Sequence, residues 1–187
     1  MNSFFKKIAT GTAALALTTT VFATTSFAAE TGTTVTGGDM TISTVTADSF
    51  PSFTLDGTTK TVTALINTFE VKDARGTGAG WNVAVSASAF TDSSTNGKTL
   101  NLSPGSFTVA APTVSKIDDG SSDTNTITRE GGTLDNGGTV KMLSAALDGG
   151  MGGYTVAPAT MTLILKPGEV YAGKYSSTIT VSLTTGP

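Results

Sequence analysis

Apolar and polar residues alternate with a period of two along most of this chain, and stretches with the 3.6-residue period of a helix are nearly absent. The clearest case is the run WNVAVSASA, which begins at Trp81. Alternate residues of a strand point to opposite faces, so the pattern predicts one apolar and one wetter face. The apolar face comprises Trp81, Val83, Val85, Ala87 and Ala89.

Three further segments are predicted to be strands. Thr59–Glu70 (TKTVTALINTFE) has apolar residues on both faces, which is typical of a central strand. Met161–Leu165 is followed by the turn residues Lys166-Pro-Gly-Glu169 and by a second alternating run, Tyr175–Leu183. This order predicts a hairpin at the end of the chain.

One segment, Lys141–Leu147, fits either a short helix or a strand followed by a turn. Asx- and Gly-rich clusters at Asp92–Gly97 and Asp135–Gly138 predict turns between strands. Short strands separated by turn clusters favour an all-β fold, an antiparallel β-sandwich or barrel in a single domain.

The first 28 residues have the order of a secretory signal peptide. Lys6 and Lys7 precede an uncharged stretch rich in Ala, Leu and Thr, which ends in Ser26-Phe-Ala28. The predicted mature chain, residues 29–187, is the length of one domain. We expect no membrane segment after cleavage and no covalent attachment to the cell.

Composition narrows the chemistry. Without Lys6 and Lys7, 9 basic residues oppose 14 acidic ones, a balance of −5 that argues against a nucleic-acid partner. The sequence has no Cys and no His, which excludes disulfides, Ser-His-Asp and Cys-His nucleophile systems and the common zinc sites. Asp118 and Asp119 are adjacent in a polar loop, a poor arrangement for glycoside hydrolysis. We therefore predict neither catalysis nor a cofactor.

Acidic and aromatic residues are candidates for two kinds of binding site. Asp118, Asp119 and Asp123 are candidate calcium ligands, although their spacing is not that of an EF-hand, and a solvated loop is the simpler interpretation. The aromatic residues Trp81, Tyr154, Tyr171 and Tyr175 are candidate sugar platforms, but their apolar neighbours favour the core.

Basic side chains are candidate contacts to anionic wall polymers. Lys72 and Arg75 are the nearest to the Trp81 strand, and Lys166 and Lys174 lie further on. The alternative is ordinary solvated surface charge. Between Arg75 and Trp81, three alternating glycines, Gly76, Gly78 and Gly80, predict a turn or bulge; a phosphate cradle would need a following helix, and a strand follows instead.

The run Val71–Phe90 (VKDARGTGAGWNVAVSASAF) strongly resembles the proximal motif of WxL domains, surface modules of Gram-positive bacteria. Ser144-Ala-Ala146 with Gly150-Met-Gly152 resembles the middle segment of that family, and Tyr171–Pro187 resembles its closing strand. The family signatures fall on Trp81-Asn82-Val83, with Val83 where Leu is typical, and on Val181-Ser182-Leu183, where Trp is expected first.

This resemblance implies an exported β-rich module that is held non-covalently on cell-wall peptidoglycan, beside other surface proteins and without enzymatic activity. For Trp81 itself, burial of about 150–250 Å² contributes roughly 4–6 kcal/mol, so we expect a core role. Two other functions remain open: a structural or adhesin subunit that assembles with itself or another surface protein by strand pairing, and a secreted binder of soluble glycans.

Overall fold

The structure, a computed structural model, describes residues 30–93 and 97–187. The predicted signal peptide, residues 1–28, lies outside the described residues, as do residues 94–96 of the predicted turn Asp92–Gly97. Val35–Pro187 forms one compact unit. Residues 30–34 belong to a separate unit and are exposed.

The described chain is nearly all strand, as the alternating pattern predicts. Its only helical elements in the described ranges are two 3-10 turns, Thr124–Thr126 and Asp135–Gly137. The strands are β1 (Met40–Ile42), β2 (Lys60–Ile66), β3 (Phe69–Asp73), β4 (Trp81–Ala87), β5 (Thr91–Asp92), β6 (Phe107–Val109), β7 (Val114–Lys116), β8 (Ile127–Arg129), β9 (Gly132–Thr133), β10 (Thr139–Ala145), β11 (Gly152–Val156), β12 (Ala159–Leu165), β13 (Tyr175–Ser176) and β14 (Ile179–Thr185).

These strands form antiparallel sheets in a sandwich-like, single-domain arrangement. Sheet I has the order β1-β3-β11-β7, sheet II the order β14-β4-β10-β8, and sheet III the order β2-β12-β6-β9; β13 and β5 pair separately. Most neighbours are distant in sequence, so the fold is built by non-local pairing.

A single apolar cluster fills the space between the sheets. On β4, buried residues alternate with half-buried ones along the whole strand, which confirms the predicted two-faced pattern. The Trp81 ring of sheet II meets the Tyr154 ring of sheet I, with centroids 6.1 Å apart. Further along the core, Phe50, Phe90 and Phe107 form edge-to-face contacts with centroids 5.2–6.1 Å apart.

The prediction of one central strand over Thr59–Glu70 is wrong. The segment divides into β2, at the edge of sheet III, and β3, inside sheet I. Asn67 marks the division, because its backbone N–H donates to Thr46 O and its Nδ2 donates to Asp48 Oδ1. These contacts with a distant segment end β2, which alternation alone could not reveal.

The predicted terminal hairpin is also wrong. The turn after β12 is present, with Glu169 N donating to Lys166 O, but β14 does not return to β12. β12 pairs with β2 and β6, whereas β14 pairs with β4 in another sheet. The long connection, residues 166–178, lets the chain change sheets.

The ambiguous segment Lys141–Leu147 is a strand followed by a turn. β10 pairs with β4, and its register shifts between Lys141 and Leu143. This bulge leaves Met142 and Leu143 both buried in succession. Two adjacent buried residues break the period of two, which explains why the sequence was ambiguous here.

Candidate functional site: the motif corner

Two short connections cross between sheets I and II side by side. Residues 74–80 lead from the end of β3 to the start of β4, and residues 146–151 lead from β10 back to β11. The N–H of Asp148 donates to Gly78 O at 2.8 Å and joins the two crossings. With the end of β14, they bring together the three segments that resemble the WxL family. We call residues 73–82, 145–152 and 181–186 the motif corner.

Trp81 is the buried centre of the motif corner. Its side chain is fully shielded from solvent, and its indole Nε1 donates to Gly150 O at 2.8 Å. The bond satisfies the one polar group of the ring, as a buried indole requires. Trp81 therefore anchors one crossing against the other and has no surface available for a ligand.

Gly80 lets the first crossing approach the second. Its φ is +68°, in the left-handed region, and a Cβ there would lie 2.5 Å from Ala145 O. The other two predicted turn glycines, Gly76 and Gly78, have φ of +65° and +64°. Gly78 is buried beside Asp148, whereas Gly76 is exposed with open space around it.

The Arg75 side chain donates hydrogen bonds to three parts of the motif corner. Its Nε and Nη2 donate to the two carboxylate oxygens of Asp73, each at 2.8 Å. Nη2 also donates to Gly80 O at 2.8 Å, and Nη1 donates to Thr185 Oγ1 at 2.9 Å. One guanidinium thus connects the end of β3, the start of β4 and the end of β14.

The electrostatics of this pair follow from burial. The Asp73 side chain is 1% exposed and that of Arg75 is 17% exposed. Hydrogen bonds from the Arg75 side chain lower the pKa of Asp73, against the opposing effect of desolvation. The same hydrogen bonds raise the pKa of Arg75, so the pair stays charged.

The two family signatures lie on adjacent antiparallel strands. Leu183 pairs with Val83, and Val181 pairs with Val85, so both apolar residues of the second signature share the inner face with Trp81. Ser182 points outward and is exposed. Asn82 donates from Nδ2 to Gly186 O at 2.9 Å and holds the end of the chain against β4.

The two candidate wall contacts, Lys72 and Arg75, differ in solvent exposure and in the hydrogen bonds that they already form. Lys72, on β3, is 55% exposed, and its Nζ lies 3.0 Å from Glu70 Oε2. The guanidinium of Arg75 donates hydrogen bonds to Asp73, Gly80 and Thr185, so its observed contacts are structural.

The other predicted sites are separate from the corner. Asp118 accepts from Gly120 N, and Asp123 caps the following 3-10 turn by accepting from Asn125 N. Within residues 30–93 and 97–187, no group of three or more acidic side chains is placed to hold a metal ion. Of the aromatic candidates, Tyr154 is buried, but the core prediction is wrong for Tyr171, which is 59% exposed.

Sequence reasoning missed Asp73 and Gly150. Asp73 lies two residues before Arg75, a spacing that permits the pair but also occurs between solvated charges. Gly150 belonged to a segment recognised only by resemblance. Its φ is +68°, and a Cβ there would lie 2.7 Å from Trp81 Nε1. No local signal links it to Trp81, 69 residues away.

The fold and the corner define an all-β domain whose signature residues join two sheets. A family model described as "WxL domain surface cell wall-binding" matches residues 17–187, and the chain belongs to the WxL family. Neither the curated proteins nor the solved structures contain a match. In the part of the chain that the structure describes, no helix is both long and apolar enough to cross a membrane.

Proposed function

We propose that the mature chain is a non-catalytic surface module that binds cell-wall peptidoglycan without a covalent bond. The observation that carries this proposal is the WxL family match over residues 17–187. The assembled motif corner supports it, since all three family segments meet in one structure. The absence of His and Cys from the sequence supports a binding role over the common nucleophilic chemistries.

The direct test is retention of the mature chain, residues 29–187, on purified insoluble peptidoglycan. A matched control is an unrelated acidic β-sandwich protein of similar size. We expect retention above this control that persists at about 0.5 M salt, since the chain carries net negative charge and simple cation exchange is disfavoured. Retention no greater than that of the control sinks the proposal.

A second candidate function is assembly by strand pairing, with another copy or another surface protein. β14 is a seven-residue edge strand of sheet II without a charged residue. Thr178 O accepts from Ser88 N and Gly186 N donates to Gly80 O, so even-numbered residues bond to β4. The backbone groups of Ile179, Val181, Leu183 and Thr185 therefore point to the open edge, a template for strand addition.

A proline substitution in β14, at the open edge of sheet II, tests assembly by strand pairing. Val181→Pro removes one edge-facing N–H, keeps an apolar side chain of similar volume and spares the bonds to β4. If β14 recruits strands, light scattering shows oligomers or partner complexes for the wild type and for Thr180→Ser, but not for Val181→Pro. A wild-type chain that stays strictly monomeric and captures no surface protein contradicts the candidate.

A further inference from the structure

A groove of about 970 Å³ opens beside the part of the core that contains the Phe50–Phe90 contact. It is lined by residues 47–55, by residues 170–177 and by apolar side chains of β2 and β12. Its volume is at the upper end of the range typical of small-ligand sites, roughly 300–1,000 Å³. Phe50 and Phe90 line it from the aromatic cluster of the core.

Exposed apolar side chains concentrate in this groove. Phe53 is 38% exposed, Leu55 40% and Tyr171 59%, and all three line it. Single exposed apolar residues are normal on a protein surface, but a concave cluster of them is typical of a binding site.

The hydroxyls of the groove lining differ in their accessibility. Tyr175 lines the groove, and its hydroxyl oxygen is shielded from solvent with no hydrogen-bond partner in the described residues. Because no solvent reaches this hydroxyl, a ligand in the groove does not reach it either. The lining also contains the serine side chains Ser49, Ser52, Ser176 and Ser177.

Two lysines lie in or beside the groove. Lys98 Nζ lies 3.8 Å from the centroid of the Tyr171 ring, and Lys174 lines the groove. Neither lysine forms an ion pair among the described residues. The one carboxylate in the described lining, Asp48, accepts a hydrogen bond from Asn67 Nδ2 at 2.9 Å.

We propose that this groove binds a short segment of carboxylate-bearing wall glycan. Tyr171 and Phe53 contact the apolar faces of the sugar rings, and the hydroxyls of Ser49 and Ser52 hydrogen-bond to sugar hydroxyls. Lys98 and Lys174 attract the carboxylates of the attached peptides. The mixture of aromatic rings, hydroxyls and cations suits such a glycan better than a lipid tail, which needs no hydroxyl-lined wall. This assignment rests on the proposed wall binding and locates it away from the buried Trp81.

The test uses soluble muropeptides as the probe and calorimetry on the mature chain. We expect Tyr171→Ala to weaken binding by about tenfold or more, through the lost ring contact. Phe53→Ala is expected to weaken binding about fivefold through its lost ring contact, whereas Tyr175→Phe removes a hydroxyl that the ligand does not reach and should bind as the wild type does. Val35→Ala, at an exposed apolar residue outside the groove, is the matched control and should bind as the wild type does.

Three outcomes separate the assignment from the proposed function. If the wild type and both groove variants are retained equally on insoluble peptidoglycan, the groove assignment is wrong and wall binding stands. If the wild type binds neither soluble muropeptides nor the wall, both fail. If the groove takes up palmitate, and muropeptides do not compete, the ligand class is wrong. Weaker binding of neutral chitooligosaccharides than of muropeptides, lost on Lys174→Ala, supports the role of the carboxylates.

Discussion

The indole Nε1 of Trp81 donates to Gly150 O at 2.8 Å and joins the two crossings of the motif corner. The ring also packs on Tyr154 of the facing sheet. One residue thus links two parts of the core, at Trp81 and at residues 150–154, that are far apart in sequence. In this protein the family tryptophan is a buried structural residue.

Trp81→Ala is expected to lower the free energy of unfolding by about 3–5 kcal/mol, because it leaves a large cavity and an unpaired Gly150 carbonyl. Trp81→Phe retains most of the apolar area and should lose less, about 1–3 kcal/mol. Chemical denaturation measures both values, with Leu147→Ala, an exposed residue of the corner, as the control. An unchanged melting temperature for Trp81→Ala, together with lost wall retention, would mean that the core role is wrong.

Gly76 and Gly80 form a matched pair that separates backbone strain from steric conflict. Both have φ near +65°, but a Cβ meets nothing within 4 Å at Gly76 and meets Ala145 O at 2.5 Å at Gly80. Gly76→Ala should cost about 1–2 kcal/mol of stability, from φ alone. Gly80→Ala should cost clearly more. Equal losses in thermal denaturation would show that the crossings can move apart at no cost.

Asp73→Asn tests the ion pair through pH. The folded pKa of Asp73 lies below its unfolded value near 3.9, so the stabilisation is complete above about pH 5 and is lost as pH falls through 4 towards the folded pKa. The variant should be less stable than the wild type by about 2 kcal/mol at pH 7. This difference should shrink below pH 4, where the carboxyl of the unfolded wild type becomes protonated while the folded one is still ionised. Urea denaturation from pH 3 to pH 7 measures it, and a constant difference over this range argues against the assignment.

Asn82→Ala should loosen the end of the chain without unfolding the domain. It removes the bond from Nδ2 to Gly186 O, which contributes about 0.5–1.5 kcal/mol. Hydrogen exchange at Thr184 and Gly186, whose backbone groups bond to β4, should become faster, while β10 exchanges as before. Ser86→Ala, on the same outward face of β4, is the control, and an identical exchange pattern in the two variants would refute this role for Asn82.

Much of the local structure could be predicted from the sequence. The alternating run at Trp81 predicts a strand with one buried face, and the buried residues of β4 are Trp81, Val83, Val85 and Ala87. The glycine cluster predicts a turn before that strand, and three glycines there have positive φ. These predictions hold because side-chain direction and glycine conformation depend on neighbouring residues.

The pairing of strands could not be predicted in the same way. β14 could bury its apolar face equally well beside β12, as the hairpin prediction assumed, or beside β4. Its actual partner is β4. The bulge at Met142 and the division at Asn67 likewise depend on contacts with remote segments.

The sequence by itself determined that the chain is a β-rich WxL domain and that Trp81 faces the core, because both follow from local alternation and from a contiguous motif. Only the tertiary structure decided that Arg75 donates hydrogen bonds to Asp73, Gly80 and Thr185. It alone also decided that Trp81 donates to Gly150 and that Tyr171 lines an open groove. The physical reason is that these contacts join residues from different sheets, and their free energy depends on which surfaces the folded chain brings together.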